Sequence, residues 1–199
     1  DWSVGEIVKT LKKNGQWENT LLLFLADNGA CAEGATLGLG DPVKERRAEV
    51  PLMEISYGKC WANSSNTPYR LYKHFTHEGG ANTPFIAHWP ERIKAGRDWY
   101  RQPTGATYPK MRDKQQVLPM EGISLLPAFD GKLLERGKPI FIEHEGNASV
   151  RDGDWKLVGA GVSPAGGMKQ KNWELYHLTE DGTELHNLAA KHPEKVEQL

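Results

Sequence analysis

Cysteine is scarce: Cys31 and Cys60 are the only two in 199 residues. Two thiols build neither a disulfide framework nor a cysteine-held metal cluster, so small scaffolds stapled by cross-links are excluded. Their spacing permits one bridge, but free and buried thiols are the ordinary outcome and the one expected here. An excess of either charge is also missing. Lys and Arg total 25 against 26 Asp and Glu, for a formal net charge of -1. That balance gives no electrostatic footing for nucleic acid or an anionic membrane surface. No apolar run reaches the ~18 residues that a membrane span needs. The opening DWSVGEIV lacks the basic-then-apolar order of an export signal. No internal repeat is present.

Glycine and tryptophan, in contrast, are plentiful, with 21 and 7 residues. They suit a protein with many close backbone approaches and aromatic-lined surfaces. The length suits one domain, alone or with a small appendage. Val4, Ile7, Val8 and Leu11 recur at helical spacing, and Lys12, Lys13 and Asn14-Gly15 supply a stop. Leu21 to Leu25 then reads as a continuous apolar strand, of the kind found in parallel sheets covered on both faces. It runs into Asp27-Asn28-Gly29, for which two readings are open. Asn-Gly is a common turn that Asp27 caps; alternatively, the strand delivers two hard oxygen donors to a metal site at its carboxyl end.

From Ala30 to Asn66 periodicity is poor, with only Pro51 to Ile55 element-like. Pro84 to Trp89 reads as a second buried strand. Candidate strands follow at Pro139 to Glu143, Ser149 to Arg151, Trp155 to Val158 and Trp173 to His177, punctuated by Gly146, Gly153 and Gly159 to Gly161. They predict a small antiparallel sheet, and a helix is expected from Pro193.

Five stretches in order carry a resemblance: ENTLLLFLADNG, SYGKCWANSSNTPYRLYKHFTHEGGANTPFIAHWP, LPMEGISLLPAFDGK, IFIEHEGNASVRDGDWKLV and WELYHLTEDGTELHNLA. Together they resemble the type I sulfatases, arylsulfatase-like enzymes of the alkaline phosphatase superfamily. The resemblance implies a partial alkaline-phosphatase-like α/β fold with a small C-terminal antiparallel sheet and terminal helix. Residues 1–129 would be the C-terminal portion of the catalytic domain, and residues 130–199 a small α+β subdomain. It further implies a divalent metal, usually calcium with magnesium as the substitute, held in part by Asp27 and Asn28. The remaining ligands would lie in the preceding part of the sulfatase domain, which the chain would require as its partner. Lys73 matches the lysine that points at the sulfate oxygens, a task suited to a compact ammonium. His77 either orders the loop before Glu78-Gly79-Gly80 or contacts substrate. His74 and His77 are spaced like a metal pair, but zinc needs more ligands and none is spaced to help.

The family nucleophile, a formylglycine made from the first residue of C/S-x-P-x-R, has no counterpart. Cys31 precedes Ala-Glu-Gly and Cys60 precedes Trp-Ala-Asn, while Asn66-Thr67-Pro68-Tyr69-Arg70 carries an amide where the oxidisable residue must stand. The expectation is a C-terminal part of a longer sulfatase, inactive alone, whose formylglycine lies upstream. The stretch Pro103-Thr104-Gly105 is shorter than in the family. Substrates would be sulfate esters of small molecules or sugars, with Trp61, Tyr69, Tyr72 and Trp99 as candidate aromatic walls. Periplasm, cell exterior and lysosome all fit such an enzyme. Two rivals stay open: a phosphatase or phosphonate-monoester hydrolase on the same scaffold, and a noncatalytic binding module.

Overall fold

The computed structural model describes residues 2–40, 56–93, 111–112, 114–116, 122–162 and 173–199. The element expected at Pro51 to Ile55, the stretch Pro103 to Gly105 and Trp99 lie outside these. In chain order the described helices are α1 (Trp2–Lys13), α2 (Gly58–Ser65), α3 (Glu78–Ala81), α4 (Leu126–Phe129) and α5 (Pro193–Gln198). The strands are β1 (Leu22–Leu25), β2 (Phe85–His88), β3 (Met111–Arg112), β4 (Gln115–Gln116), β5 (Ile140–His144), β6 (Asn147–Asp152), β7 (Trp155–Gly159) and β8 (Trp173–His177). The chain divides into two compact units, one of residues 1–24 and 86–137, the other of residues 25–85 and 138–199.

In the first unit, α1 ends as its sequence dictates. Lys12 and Lys13 occupy the last turn, Gly15 turns left-handed at φ 67°, and Gln16 N–H donates back to Leu11 O at 2.9 Å. Its apolar stripe is not fully buried anywhere along the helix. β1 pairs with β2, and the flanking hydrogen bonds, Ala26 N to Pro84 O and Glu91 N to Glu18 O, run the two strands in opposite directions. The expected parallel, doubly covered strand is therefore corrected to an antiparallel one with Phe24 and Leu25 53% and 57% exposed. An apolar run encodes burial potential, not strand direction, and that is where the sequence reading failed.

The second unit holds the four-stranded antiparallel sheet β5-β6-β7-β8. All four expected strands are present, displaced by two residues at most. Val150, Leu157 and Leu175 form its core, against which Trp155, Trp173, Leu188, Ala189, Val196 and Leu199 pack. Each fully buried Val or Leu contributes about 1.5–3 kcal/mol. α5 thus has its reason: Val196 and Leu199 are the two apolar residues of the C-terminal turn, and they close the sheet. The fold is mixed α/β with a small antiparallel sheet and a terminal helix, a partial alkaline-phosphatase-like arrangement. Helix α2 was not expected; its polar sequence buries only Gly58 and Ala62. Both cysteines are free but exposed, which corrects the expectation of burial: the Cys31 thiol faces the Glu33 carboxylate rather than a core.

Candidate functional site

Asp27, Asn28, Lys73, His74 and His77 all lie in the second unit, on two loops in direct backbone contact. Asp27-Asn28-Gly29-Ala30 follows β1. Arg70 to His77 leads into α3, whose Glu78, Gly79 and Gly80 are buried. Gly29 N donates to Gly80 O at 2.9 Å, and Lys73 N donates to Ala30 O at 3.1 Å. A Cβ on Gly29 would lie 1.9 Å from Gly79 O, so glycine is required there by close approach of two backbones rather than by a sharp turn. Gly79 and Gly80 are equally constrained, with Arg70 O and Phe75 O at 2.2 and 2.0 Å from their would-be Cβ atoms. The two Gly-containing motifs are the two halves of one junction.

Asn66, the amide in the NTPYR stretch, fastens the same junction. Its Oδ1 accepts from Ala30 N at 3.1 Å and its Nδ2 donates to Leu71 O at 2.9 Å. The amide spans both partners at once with its separate oxygen and nitrogen, so the asparagine has a structural reason to be there.

Asp27 is exposed and Asn28 half-buried, and neither side chain makes a hydrogen bond among the described residues. They are hard oxygen donors of the kind calcium takes, but they are two where calcium takes ~6–8. The pair fits such a metal in kind and could supply only part of its shell. The Lys73 amine lies 3.2 Å from Glu33 Oε1. Hydrogen bonding to and charge on Glu33 raise the Lys73 pKa above its ordinary value, with Cys31 and Asp27 adding to the pull. Lys73 therefore feels Asp27 across the junction. Glu33 is held at a pKa of about 2, first by the Cys31 thiol and its own backbone, then by Lys73.

His77 is 1% exposed and packs edge-on against Phe75. Burial pushes its pKa down to about 4, against the pull of Glu174, whose Oε2 is 3.4 Å from Nε2. Below it lies a network that sequence reading missed. Buried Lys156 donates to Glu78 Oε1 at 2.6 Å and stands 2.8 Å from Glu184 Oε1. That second contact is ionic, since it lies off the hydrogen-bonding directions. Glu184 Oε2 accepts from Glu78 N at 2.8 Å, and Arg70 reaches Glu174, Tyr176 and Glu184 O at 2.9–3.1 Å. Desolvation raises the Glu184 pKa although Lys156 opposes it. The Lys73 loop is thereby anchored from beneath on β7 and β8.

His74 does not pair with His77. Its ring meets the tip of the β5–β6 hairpin, with Nδ1 2.5 Å from Glu145 Oε2 and Nε2 3.3 Å from Glu33 Oε1, and it lies stacked with His144. Three potential donor groups, His74, His144 and Glu145, converge within 4.8 Å. Spacing along the chain could not reveal this cluster, because seventy residues intervene. No helix among the described residues is long and apolar enough to cross a membrane.

The Sulfatase family pattern matches residues 1–119. A sulfatase of Schizosaccharomyces pombe is 30% identical over 240 aligned positions, covering all of this chain and 40% of the relative. Those positions exceed the 199 residues of the chain, so the relative has positions with no counterpart here. An N-acetylgalactosamine-6-O-sulfatase of Bacteroides thetaiotaomicron is 26% identical over all of this chain and 38% of its own length. Among solved structures, a sulfatase from the glycosaminoglycan metabolism of the same bacterium aligns over the whole chain and 41% of its own. Its TM-score is 0.60 at 24% identity, a likeness of fold. The chain thus spans about 40% of the length of these relatives.

Proposed function

The chain belongs to the sulfatase family, and on that premise we propose that it is the C-terminal part of an enzyme hydrolysing sulfate monoesters, with a sulfated sugar or small aryl sulfate as substrate. In this reading residues 1–129 complete the α/β catalytic domain and residues 130–199 form its small α+β subdomain. The nucleophile is a formylglycine outside this chain, since no C/S-x-P-x-R stands within it. The sulfated-sugar choice draws support from the N-acetylgalactosamine-6-O-sulfatase among the relatives.

The observation that carries the proposal is the junction of the Asp27–Ala30 turn with the Lys73–Gly80 loop. It brings two hard oxygen donors and an ammonium from distant stretches of chain onto neighbouring loops. Asp27 and Asn28 would hold part of a calcium shell, with magnesium as the alternative; the bound ion supplies polarisation of the ester oxygens. Lys73 binds a sulfate oxygen and stabilises charge gathering there. Glu33 keeps the amine charged and oriented, and yields it to the incoming sulfate. The 1% exposure of His77 supports the loop-ordering role of the two open to it; substrate contact would require the loop to open.

The test is Lys73→Ala in the full polypeptide, followed with an aryl sulfate and the matched aryl phosphate. Loss of one such donor lowers turnover by about 10²–10³, and Asp27→Ala by at least as much. Both variants should keep the parent melting transition. Sulfate turnover at the parent rate in Lys73→Ala would remove Lys73 from the site, and a strong preference for phosphate would install the phosphatase rival. The chain by itself should turn over neither.

A further inference from the structure

We propose that His74, His144 and Glu145 form a binding site for a zinc-class divalent ion, distinct from the Asp27–Asn28 oxygen pair. Two imidazoles and a carboxylate make a nitrogen-rich donor set, which selects zinc, nickel or copper over calcium and magnesium. The donor atoms already lie within 4.8 Å of one another. In a tetrahedral zinc site with bonds of ~2.0–2.1 Å, ligand atoms stand about 3.3 Å apart. The His74 Nδ1–Glu145 Oε2 contact of 2.5 Å has only to open by about 0.8 Å to admit the ion.

The backbone prepares this arrangement. His74 adopts φ 87° and Glu145 φ 50°, the left-handed region that residues with side chains seldom enter. Glu145 and Gly146 (φ 80°) are the two central residues of the β5–β6 turn. Such a turn calls for positive φ at both and favours Asn, Asp or Gly, so a glutamate at its first position answers to something other than the turn. Asn147 Nδ2 holds His74 O at 2.7 Å, and its Oδ1 accepts from Gly161 N at 3.1 Å. The loop and the hairpin tip are therefore fastened to each other beside the three donors.

An outer carboxylate is also in place. His74 Nδ1 faces Glu145, and Nε2 is 3.3 Å from Glu33 Oε1. A metal-bound histidine ordinarily gives its second ring N–H to such a group, which fixes tautomer and orientation. Glu33 also holds Lys73 at 3.2 Å, so ion binding and the position of Lys73 share one carboxylate. His144 and Glu145 are more than half exposed, which leaves the ion an open approach. Three protein ligands leave one tetrahedral position for water or an anionic oxygen.

Titration of the chain with Zn(II) in excess calcium, against a chromophoric competitor, tests the site. One equivalent should bind, and Co(II) in its place should show the visible absorption of a tetrahedral ion. His74→Ala and His144→Ala should each weaken Zn(II) at least tenfold, and Glu33→Gln by about 10–100-fold as an outer-shell loss. Cys31→Ser and Asp27→Asn should bind as the parent does. His144 is exposed at a hairpin tip, so its variant should keep the parent far-ultraviolet dichroism and decides the matter even if His74→Ala fails to fold. Zinc binding that is absent, that survives His144→Ala undiminished, or that disappears in Cys31→Ser overturns the proposal.

Discussion

His77 shows at a single residue what burial does near this site. Its ring is 1% exposed, and Nδ1 has no hydrogen-bond partner among the described residues. Charging the ring would place a cation where water cannot reach it; this desolvation outweighs the pull of Glu174, and Arg70 and Lys156 add repulsion. The pKa falls from 6.5 to about 4. In the unfolded chain the same ring titrates at its ordinary value, so between these limits the unfolded state binds the extra proton. The contribution is thus whole above pH 6.5 and is lost as pH falls through about 4. At ~1.36 kcal/mol per pH unit its ceiling is roughly 3 kcal/mol. Thermal melting of the parent should weaken across that window, and His77→Gln, which titrates nowhere, should melt with a flatter dependence. Equal slopes in the two proteins would mean that another group carries the acid sensitivity. None of this was visible in sequence, where His77 was balanced between a loop and a substrate role. Depth is set by Phe75 and by the sheet beneath, not by neighbours in the chain.

Between elements, the decisive contact is that of α3 with β7 and the loop after β8. Lys156, Glu78 and Glu184 are 3%, 8% and 0% exposed at the side chain, so their charges live or fall together. Removing one partner from a buried ionic group leaves the others uncompensated and costs about 3–5 kcal/mol. Lys156→Met, close in volume, should therefore lower the unfolding free energy measured by denaturant titration by an amount in that range. Adding Glu184→Gln to it should restore part of the loss, because the surviving carboxylate no longer faces a second one. A single variant within about 0.5 kcal/mol of the parent would show that surface-like behaviour prevails. The strands of this sheet were legible because each alternates or clusters its apolar residues between Gly and Asp turns. What they anchor was not legible. Lys156 pairs with Tyr176 across β7 and β8 and meets Glu78 from a turn 78 residues away, a partner that nothing in GDWKLV names. For the same reason the antiparallel sense of β1 and β2 escaped the sequence: direction is decided by partners, and a strand does not name its partner.

At the scale of the molecule, two observations point the same way. Asp27 and Asn28 offer two oxygens where calcium takes ~6–8, and the strand pair β1–β2 shows Phe24, Leu25 and Ile86 at 53%, 57% and 58% exposure. Such apolar surface contributes about 1.5–3 kcal/mol per side chain when covered. In relatives of which this chain spans about 40%, there is ample further polypeptide to cover it and to add ligands. Calorimetry should then find calcium and magnesium binding weak or absent in the chain alone. On the reading proposed above, binding should be tight and stoichiometric in a polypeptide that also carries the part of the domain proposed to precede this chain. The longer polypeptide should in addition melt higher in calcium, by about 2.7 kcal/mol of stability at one hundred times the dissociation constant. Asp27→Ala should abolish that increment while leaving the calcium-free melting point nearly unchanged, since the carboxylate has no hydrogen-bond partner to lose among the described residues. Tight, one-to-one calcium binding by the chain alone would instead require oxygen donors beyond Asp27 and Asn28 within these 199 residues, and the ion would then belong to a site complete in itself.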